Sequence, residues 1–452
     1  MNVIRDRLMR AVIQSGICTS CGACVALDPT GLARMEDTLF GPRPVFPAGG
    51  AELPQLAWDA CPGKGIHYAN LYLEHYGRLP ENWLLGCFNR VRTGYSADPD
   101  IRRNGASGGV ITHTLIYLLE RKLVDAVLVV RQGIPTPEKA RVTIARNRAE
   151  VLAAAQSVYI PVSTLDILPQ LLPGERYAMV CLPDQAAALR TLQLAGHAAA
   201  RQICFLLGPY TGTALYPSAI RCYLRSKGVG DNDPITALKW RAGEWPGYME
   251  IQTSSGKLFR SKKFYYNFLI PFFITQASLQ SMDFTNEFCD LSVGDAWSPR
   301  FEAAGGGHSV ITTRTDEMEG IIRDMEHAGL LVTTVEDPVE TLAMHGHMLD
   351  FKKRGSYIRN RIRKIFGRRA PDYGLAPRPL PVSRVLVELL ISGLFLVCGL
   401  RPSRWVVAQI PESIIGPLFN RLRLAWKSMS KPTKRKGLGK LAMIVTPPAI
   451  KY

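Results

Sequence analysis

Four cysteines have the type and spacing to hold an inorganic cofactor. Cys18, Cys21 and Cys24 form a C-x2-C-x2-C run, and Cys61, followed by Pro62, comes after 36 intervening residues. A thiol triplet on a tight loop, completed by a distant Cys-Pro, is typical of a [4Fe–4S] cluster. Gly22 allows such a loop to bend around a bulky cluster. A zinc site of four thiolates is the alternative, although zinc sites usually pair two separate C-x2-4-C knuckles.

The other six cysteines are scattered among apolar neighbours. We interpret them as small buried hydrophobic residues: Cys87, Cys181, Cys204, Cys222, Cys289 and Cys398. The first ten residues carry charges and no apolar core, so we do not expect a signal peptide. We therefore expect the protein to be cytoplasmic. In that compartment disulfides are not expected either.

A glycine-rich segment is the second candidate site. Residues 104–109 read Asn-Gly-Ala-Ser-Gly-Gly and precede an apolar run over 110–120 that predicts a helix. Backbone amides at a helix start, with the positive end of the helix dipole, can bind a phosphate. A plain N-cap at Ser107, without any ligand, is equally compatible with this pattern.

Alternating strands and helices surround that segment. Strands are expected over 124–130, 177–182 and 202–207, and helices over 184–190 and 217–225. This alternation predicts an α/β fold, a mixed sheet with flanking helices.

Further along, the sequence predicts a hairpin over 248–260, a strand over 291–297 that turns at Gly294, and a glycine loop with a strand over 305–314. The expected organisation is an N-terminal ferredoxin-like iron–sulfur loop segment, two parts of an α/β body, and a basic and apolar helical tail. Their expected bounds are 1–84, 85–175, 176–350 and 351–452.

Five motifs occur in an order that resembles a known family. They are the cysteine run and the segments 104–110, 157–161, 245–247 and 283–297. Together they resemble the beta subunit of the deazaflavin-coenzyme (F-420) hydrogenase/dehydrogenase family, which also contains chlorophyllide reductases. Members associated with polysaccharide biosynthesis look closest in size and tail. The resemblance covers residues from about 15 to about 375 and is not carried by any single motif.

The resemblance implies an iron–sulfur flavoprotein oxidoreductase. It would pass electrons between a reduced carrier, an electron-donor protein or a reduced cofactor, and a small organic substrate. The cofactors would be FAD and one [4Fe–4S] cluster, with the deazaflavin coenzyme as another carrier to consider. The implied flavin contacts are Asn104, Ala106, Ser107, Gly108, Gly109, Ser157 and Tyr159.

No catalytic residue is assigned, since structural roles are favoured for Asp295 and His308, with Asp295 as a turn residue. Two rival functions remain: a non-enzymatic electron-transfer subunit, and a degenerate scaffold protein in envelope polysaccharide biosynthesis.

One concerted departure from the family concerns a second cluster. Relatives with two clusters hold the second one with thiols at four further positions, and here those positions hold Asp184, Leu207, Ser278 and Ser281. Serine and leucine cannot replace soft thiolate ligands on iron. The sequence therefore predicts one cluster, with a shifted site at Cys181, Cys204 and Cys289 as the alternative.

The positive charge belongs to the tail. The chain has a net charge of +17, but residues 351–452 hold 22 Lys and Arg against three acids. We expect residues 351–369 to form a basic amphipathic helix, suited to an anionic lipid surface or to solvent. No nucleic-acid motif is present, so nucleic acid is not an expected partner.

Two apolar stretches follow a Pro-rich linker at 377–381. Residues 385–400 are short for a membrane span, and residues 405–419 contain Pro411 and Pro417. We interpret residues 382–452 as a peripheral attachment to the inner membrane face or a docking arm. A hidden part of the fold is the alternative.

Overall fold

The computed structural model describes residues 3–48, 50–262 and 266–447. Its strands are Arg34–Thr38 (β1), Gly41–Val45 (β2), Arg90–Ser96 (β3), Ala126–Gln132 (β4), Ala140–Ala145 (β5), Tyr177–Val180 (β6), Ile203–Pro209 (β7), Ile235–Ala242 (β8), Tyr248–Thr253 (β9), Leu258–Lys262 (β10), Leu291–Asp295 (β11), Ser309–Thr313 (β12), Leu331–Val335 (β13), Leu375–Pro377 (β14) and Met443–Val445 (β15).

The α-helices are Val3–Leu8 (α1), Ala23–Ala26 (α2), Gln55–Asp59 (α3), Tyr68–Tyr76 (α4), Pro99–Asn104 (α5), Val110–Glu120 (α6), Arg148–Ala153 (α7), Pro183–Leu194 (α8), Ala198–Arg201 (α9), Ser218–Ser226 (α10), Leu269–Phe273 (α11), Gln276–Gln280 (α12), Pro299–Ala304 (α13), Asp316–His327 (α14), Pro338–Asp350 (α15), Ser356–Ile365 (α16), Val382–Cys398 (α17), Arg401–Gln409 (α18) and Glu412–Arg435 (α19). Wider π-helical turns cover Met9–Ile13 and Phe351–Gly355, and tighter 3-10 turns cover Pro62–Lys64, Leu165–Gln170, Tyr266–Phe268 and Leu438–Lys440.

An eight-stranded mixed sheet forms the centre of the body, in the order β13-β3-β12-β11-β7-β6-β4-β5. Strands β4, β6, β7 and β11 are parallel neighbours, and the outer pairings are antiparallel. A smaller antiparallel sheet, β10-β9-β8, stands apart from it. The predicted mixed α/β fold with flanking helices is confirmed.

The central strands are buried on both faces because their apolar side chains alternate between two cores. Leu128, Met179 and Leu206 point into one core. Their chain neighbours Val127 and Phe205 point into the other. Helix-covered parallel strands require this pattern of continuous apolar residues. The carboxyl ends of the parallel strands then meet at one edge of the sheet, which we call the carboxyl edge.

Gly294 does not form the turn that the sequence predicted. It lies within β11, opposite Val310, and the strand continues to Asp295. A Cβ at this position would lie 2.5 Å from Cδ2 of Tyr210. Glycine is therefore needed here for the close approach of an aromatic ring and not for a turn.

The expected surface position of the helix over 351–369 is wrong for its first half. Lys352, Lys353, Arg354 and Arg359 are all at most 5% exposed. Each basic group meets a buried acceptor, for example Lys353 with Glu287. These basic residues are buried because carboxylates from distant parts of the chain neutralise them and carbonyl groups accept their hydrogen bonds.

The tail continues as three packed helices, α17, α18 and α19. Among the described residues, no single helix is long and apolar enough to cross a membrane. The pair α17 and α18, bent by 74° at its break, passes the same test of length and composition.

Candidate functional site

The four candidate ligand thiols converge on one cavity. Cys18, Cys21, Cys24 and Cys61 all line it, and the remaining wall is formed mainly by apolar side chains: Leu8, Val12, Ile13, Met35 and Pro44. The lining residues include no carboxylate and no imidazole. A set of four thiols in an apolar wall fits an iron–sulfur cluster, whose ligands are cysteine thiolates.

Close backbone packing holds the cysteine loop in place. Gly22 has φ +88°, and a Cβ there would lie 2.4 Å from Oγ of Ser163. The carbonyl of Cys21 accepts a hydrogen bond from the amide of Leu165 at 2.9 Å. Gly63, beside the fourth cysteine, leaves room for the carbonyl of Ile17, which a Cβ would approach to 2.8 Å. The loop is thus clamped between the N-terminal turn and the segment before Leu165–Gln170.

Burial and mutual repulsion hold the four thiols in their protonated form. Burial and, to a smaller extent, the neighbouring Cys18 raise the pKa of Cys61 to about 11. Burial, followed by the charges of Cys21, Cys18 and Cys61, raises the pKa of Cys24. Four thiolates would therefore be unfavourable here without a cation, which is the condition that a bound metal centre relieves.

No three His, Cys, Asp or Glu side chains in the described parts of the chain are arranged to hold a single metal ion. The cysteines share the wall of a cavity. One further polar atom at this wall, the hydroxyl of Thr19, is buried without a hydrogen-bond partner among the described residues.

The glycine-rich segment lies at the carboxyl edge, where it packs on β3 and β12. The amide of Gly108 donates to Oγ of Ser309 at 2.9 Å, and Oγ of Ser107 lies 2.7 Å from the same atom. Gly109 has φ +74° and begins α6. Asn104 is exposed and donates to the carbonyl of Asp100. The amide of Gly108 is thus engaged within the protein.

Arg102 joins this segment to the glycine loop over 305–307. Its guanidinium lies 3.5 Å from the centroid of the Tyr95 ring. It donates to the carbonyls of Gly306 at 2.8 Å and Gly307 at 3.0 Å. The two loops that bound the carboxyl edge near β3 therefore form one unit.

A buried ion pair lies at the same edge. Nη1 of Arg241, on β8, is 3.0 Å from Oδ2 of Asp295, the last residue of β11. Burial lowers the pKa of Arg241, but Asp295 and the nearby Tyr159 raise it by more. Asp295 pairs across the sheet with Ser309, the residue that holds Ser107 and Gly108. Tyr159, which is close to Arg241, and the glycine-rich segment, which is held by Ser309, therefore lie on either side of Asp295.

Several polar groups around this ion pair have no hydrogen-bond partner among the described residues. They are Nη2 of Arg241, Nε1 of Trp240 and Nδ1 of His308, all buried. The ring centroids of Trp245 and Trp297 are 4.8 Å apart, and the two rings lie beside Asp295. Both residues are partly exposed. The N–H donors of Arg241 and Trp240 without partners, next to an aromatic surface, fit a planar, anionic cofactor. Ser157 is half-buried and precedes Tyr159 on the same segment.

Sequence models of one family match the body of the chain. The model for the beta subunit N-terminus of coenzyme F420 hydrogenase/dehydrogenase matches residues 91–169, and that for its C-terminus matches residues 174–339. The two matches cover just over half of the chain. The chain belongs to this beta-subunit family. The resemblance predicted from the sequence is confirmed.

Individual relatives are distant. A coenzyme F420-dependent sulfite reductase of Methanocaldococcus jannaschii is 25% identical over 334 residues, which are 70% of this chain and 47% of the reductase. The chain thus spans about half the length of that relative. The beta subunit of a coenzyme F420 hydrogenase from Methanothermobacter thermautotrophicus is 23% identical over 265 residues, 55% of this chain and 85% of the subunit.

The fold also matches a solved structure. A chain of the F420-reducing [NiFe] hydrogenase complex from Methanosarcina barkeri superposes with a TM-score of 0.50 at 18% identity. The superposition covers 65% of this chain and 98% of the other. It supports the fold that the sequence predicted.

Three of the four positions without expected thiols meet in the interior. Asp184, near the start of α8, lies beside Ser281 and Lys352. The ammonium of Lys352 donates to the carbonyl of Ser278 at 2.8 Å. Burial raises the pKa of Asp184 to about 6 and lowers that of Lys352 to about 7. Leu207 is fully buried in β7.

The thiols of the alternative shifted site do not all come together. Sγ of Cys181 and Sγ of Cys289 are 3.7 Å apart in the interior. Cys204 is exposed on β7, and its thiol donates to the carbonyl of Gln202. Two of these three cysteines are neighbours, and the third is directed elsewhere.

Sequence reasoning missed Arg102 and Arg241. Arg241 lies in β8 and is only 5% exposed. A charged residue within a half-buried strand is the sequence feature that could have indicated it. Arg102 precedes the glycine-rich segment by two residues, but its acceptors lie some two hundred residues away. Without its partners an arginine at such a position is read as a surface charge.

Proposed function

We propose that the chain is an iron–sulfur flavoprotein oxidoreductase that passes electrons between a reduced carrier and a small organic substrate. One [4Fe–4S] cluster would be held by Cys18, Cys21, Cys24 and Cys61, and FAD by the carboxyl edge around Arg241 and Ser107. The observation that carries the proposal is the convergence of four thiols on one cavity in a chain of this family. Family membership supports the expected enzyme class.

The segment over 157–166 joins the two sites. Tyr159 lies against Trp240 with ring centroids 5.6 Å apart, and Ser163 lies against Gly22 of the cysteine loop. Four peptide units separate these residues, and a chain that long spans at most about 14 Å. The two sites therefore lie close enough for the protein to place two redox groups near one another.

When bound, a flavin accepts or donates an electron pair and an iron–sulfur cluster transfers single electrons. The chain's own residues would bind and orient these groups. The guanidinium of Arg241, fixed by Asp295, presents a buried positive charge with an unused N–H. Trp245 and Trp297 supply an aromatic surface beside it. The apolar wall of the cysteine cavity limits the access of water to the thiols.

A single cluster is part of the proposal. The interior around Asp184, Ser278 and Ser281 holds an ammonium and hydroxyl groups, and these are not ligands for iron–sulfur clusters. The names of the relatives refer to coenzyme F420, so a reduced deazaflavin is the first carrier to test. One relative is a hydrogenase subunit, which favours a protein partner as well. We place the protein in the cytoplasm.

The test is the metal and flavin content of the full chain purified without oxygen. We expect about four irons and four sulfides with one flavin per chain. Cys61→Ser should lose most of the iron, whereas Cys204→Ser, which removes an exposed thiol away from the cavity, should keep it. About eight irons would contradict the single cluster.

The same measurement separates the rival functions. Zinc in place of iron would identify a structural four-thiolate site and remove the electron-transfer role. Iron without flavin would favour a non-enzymatic electron-transfer subunit. Absence of both would favour the scaffold protein in polysaccharide biosynthesis.

A further inference from the structure

Helix α17 has its polar and apolar faces inverted. The inward face carries Arg384 and Glu388, which are 1% and 0% exposed and form an ion pair of 2.8 Å. The outward face carries Leu386, Leu390 and Leu394, which are 55%, 64% and 53% exposed. These leucines are spaced at four residues and form one stripe. A helix in water is expected to show the opposite arrangement.

The outward apolar surface extends over the next two helices. On α18 the ring of Trp405 is 65% exposed. On α19 the exposed residues Ile414, Leu418 and Leu422 follow the same four-residue spacing. The three helices are in contact, and so many exposed apolar side chains on packed helices are unusual for a soluble monomer and mark an interaction site. We call it the tail apolar face.

The exposed charges on the segments that carry this face are all positive. The two acids between residues 378 and 447, Glu388 and Glu412, are buried and ion-paired, Glu412 with Lys227 at 2.8 Å. Every exposed charged side chain in that range is therefore cationic: the set includes Arg378, Arg401, Arg421, Lys427, Lys431 and Lys436. An apolar face on helices whose exposed charges are all cationic is complementary to an anionic lipid headgroup layer above acyl chains.

The tail apolar face is fixed to the body of the protein. Nη1 of Arg359, on α16, lies 2.5 Å from Oε1 of Glu388 on α17. Ile391 packs against Ile274 and Phe351 in a small core. A helix held in this way cannot turn its leucines inward without breaking buried ion pairs. The exposure of the leucines is thus built into the fold.

We infer that the tail apolar face seats the protein on an anionic phospholipid bilayer as a monotopic attachment. The outward sides of α17, α18 and α19 would enter the headgroup and upper acyl region, with the exposed lysines and arginines at the phosphates. Helix α17 has 17 residues and so spans about 25 Å. This fits a helix lying along the interface.

The test uses the full chain, purified in a mild detergent and mixed with lipid vesicles. Vesicles of phosphatidylcholine alone are compared with vesicles that also contain phosphatidylglycerol, and bound protein is measured by flotation. We expect wild-type protein to bind the anionic vesicles more tightly. The double variant Leu390→Glu/Leu394→Glu should bind at least about tenfold more weakly. Arg421→Gln should weaken binding to the anionic vesicles about fivefold.

Matched controls come from the β9–β10 hairpin, where Leu258 is 50% exposed beside the exposed Lys257. Leu258→Glu and Lys257→Gln should leave vesicle binding unchanged, and circular dichroism should show all variants folded. Equal binding by wild type and the double leucine variant would overturn the inference. So would failure of the wild type to bind vesicles, and light scattering would then show whether the face joins two copies of the chain instead.

Discussion

Arg359 and Glu388 form a buried ion pair between α16 and α17, with 2.5 Å between Nη1 and Oε1. Glu388 also accepts from Arg384, and Arg384 reaches Asp350 at 2.8 Å. Asp350 also pairs with Arg354 at 2.6 Å. Two carboxylates and three guanidinium groups thus share one interior site. Because these ion pairs link residues 350–359 to α17, the tail behaves as part of the fold and not as an appended arm.

Removal of the Glu388 charge should loosen this junction. Glu388→Gln leaves three buried guanidinium groups with one carboxylate, so we expect a loss of about 3–5 kcal/mol in the free energy of unfolding. Urea denaturation measures it, and limited proteolysis near residues 377–381 should become faster. The exposed Glu302 provides the control, since Glu302→Gln should change stability by less than about 0.5 kcal/mol. A comparable, small effect at both positions would contradict this account.

The cysteine loop should depend on Gly22. In Gly22→Ala the new methyl group would meet Oγ of Ser163 at 2.4 Å and the amide of Asp166 at 2.7 Å. Gly16→Ala is the matched control, because its φ of +75° is also left-handed but nothing lies within 4 Å.

We expect the control to cost about 1–2 kcal/mol from backbone strain alone, and Gly22→Ala to cost more and to lower the iron content. Iron analysis and thermal denaturation of both variants test this. If the two variants lost iron and stability to the same extent, close packing at Gly22 would not be the cause.

The Arg241–Asp295 pair should control flavin retention. Asp295→Asn leaves the buried Arg241 without a carboxylate, and we expect about 3–5 kcal/mol of destabilisation together with reduced flavin content. Arg241→Gln should also reduce flavin content. Arg260, exposed and paired with Glu250 at 2.7 Å, is the control. Arg260→Gln should cost less than about 1 kcal/mol and keep the flavin. Full flavin occupancy in Arg241→Gln would exclude this site.

Acid should destabilise the protein through His345. Burial lowers the pKa of His345 to about 4, although Asp295 opposes the shift. A histidine in the unfolded chain titrates near pH 6.5. The neutral ring therefore contributes its full stabilisation above pH 6.5, and this is lost as the pH falls towards about 4, by about 2–3 kcal/mol.

Urea denaturation at several pH values tests this titration. His345→Gln should flatten the dependence of stability on pH in that window, whereas a substitution of the exposed His327 should not. An unchanged slope in His345→Gln would assign the acid sensitivity to other groups.

The parts of the molecule that could be predicted from the sequence depend on local spacing. The cysteine run and the alternation of strands and helices are short-range patterns, and the structure brings all four cysteines to one cavity. The helix over 110–120 and the hairpin near 248–260 follow the same rule.

What could not be predicted depends on partners far along the chain. Lys353 pairs with Glu287, and Arg359 pairs with Glu388. Because these acids are far along the chain, the basic segment by itself does not indicate that its residues are buried. Gly294 is needed because the ring of Tyr210, far along the chain, packs against it. The pairing of Asp295 with Arg241 cannot be seen in the sequence, because the two residues lie on different sheets.

The position of β3 in the central sheet has a consequence for how the chain is made. Strand β3 lies between β12 and β13. The ribosome synthesises both of these neighbours long after β3. Until then its two edges have no partners, and the region matched by the N-terminal family model cannot complete its own core. Separate expression of the two matched regions should give chains that aggregate through unpaired strands, and folding should be slow because its contacts are so distant in sequence.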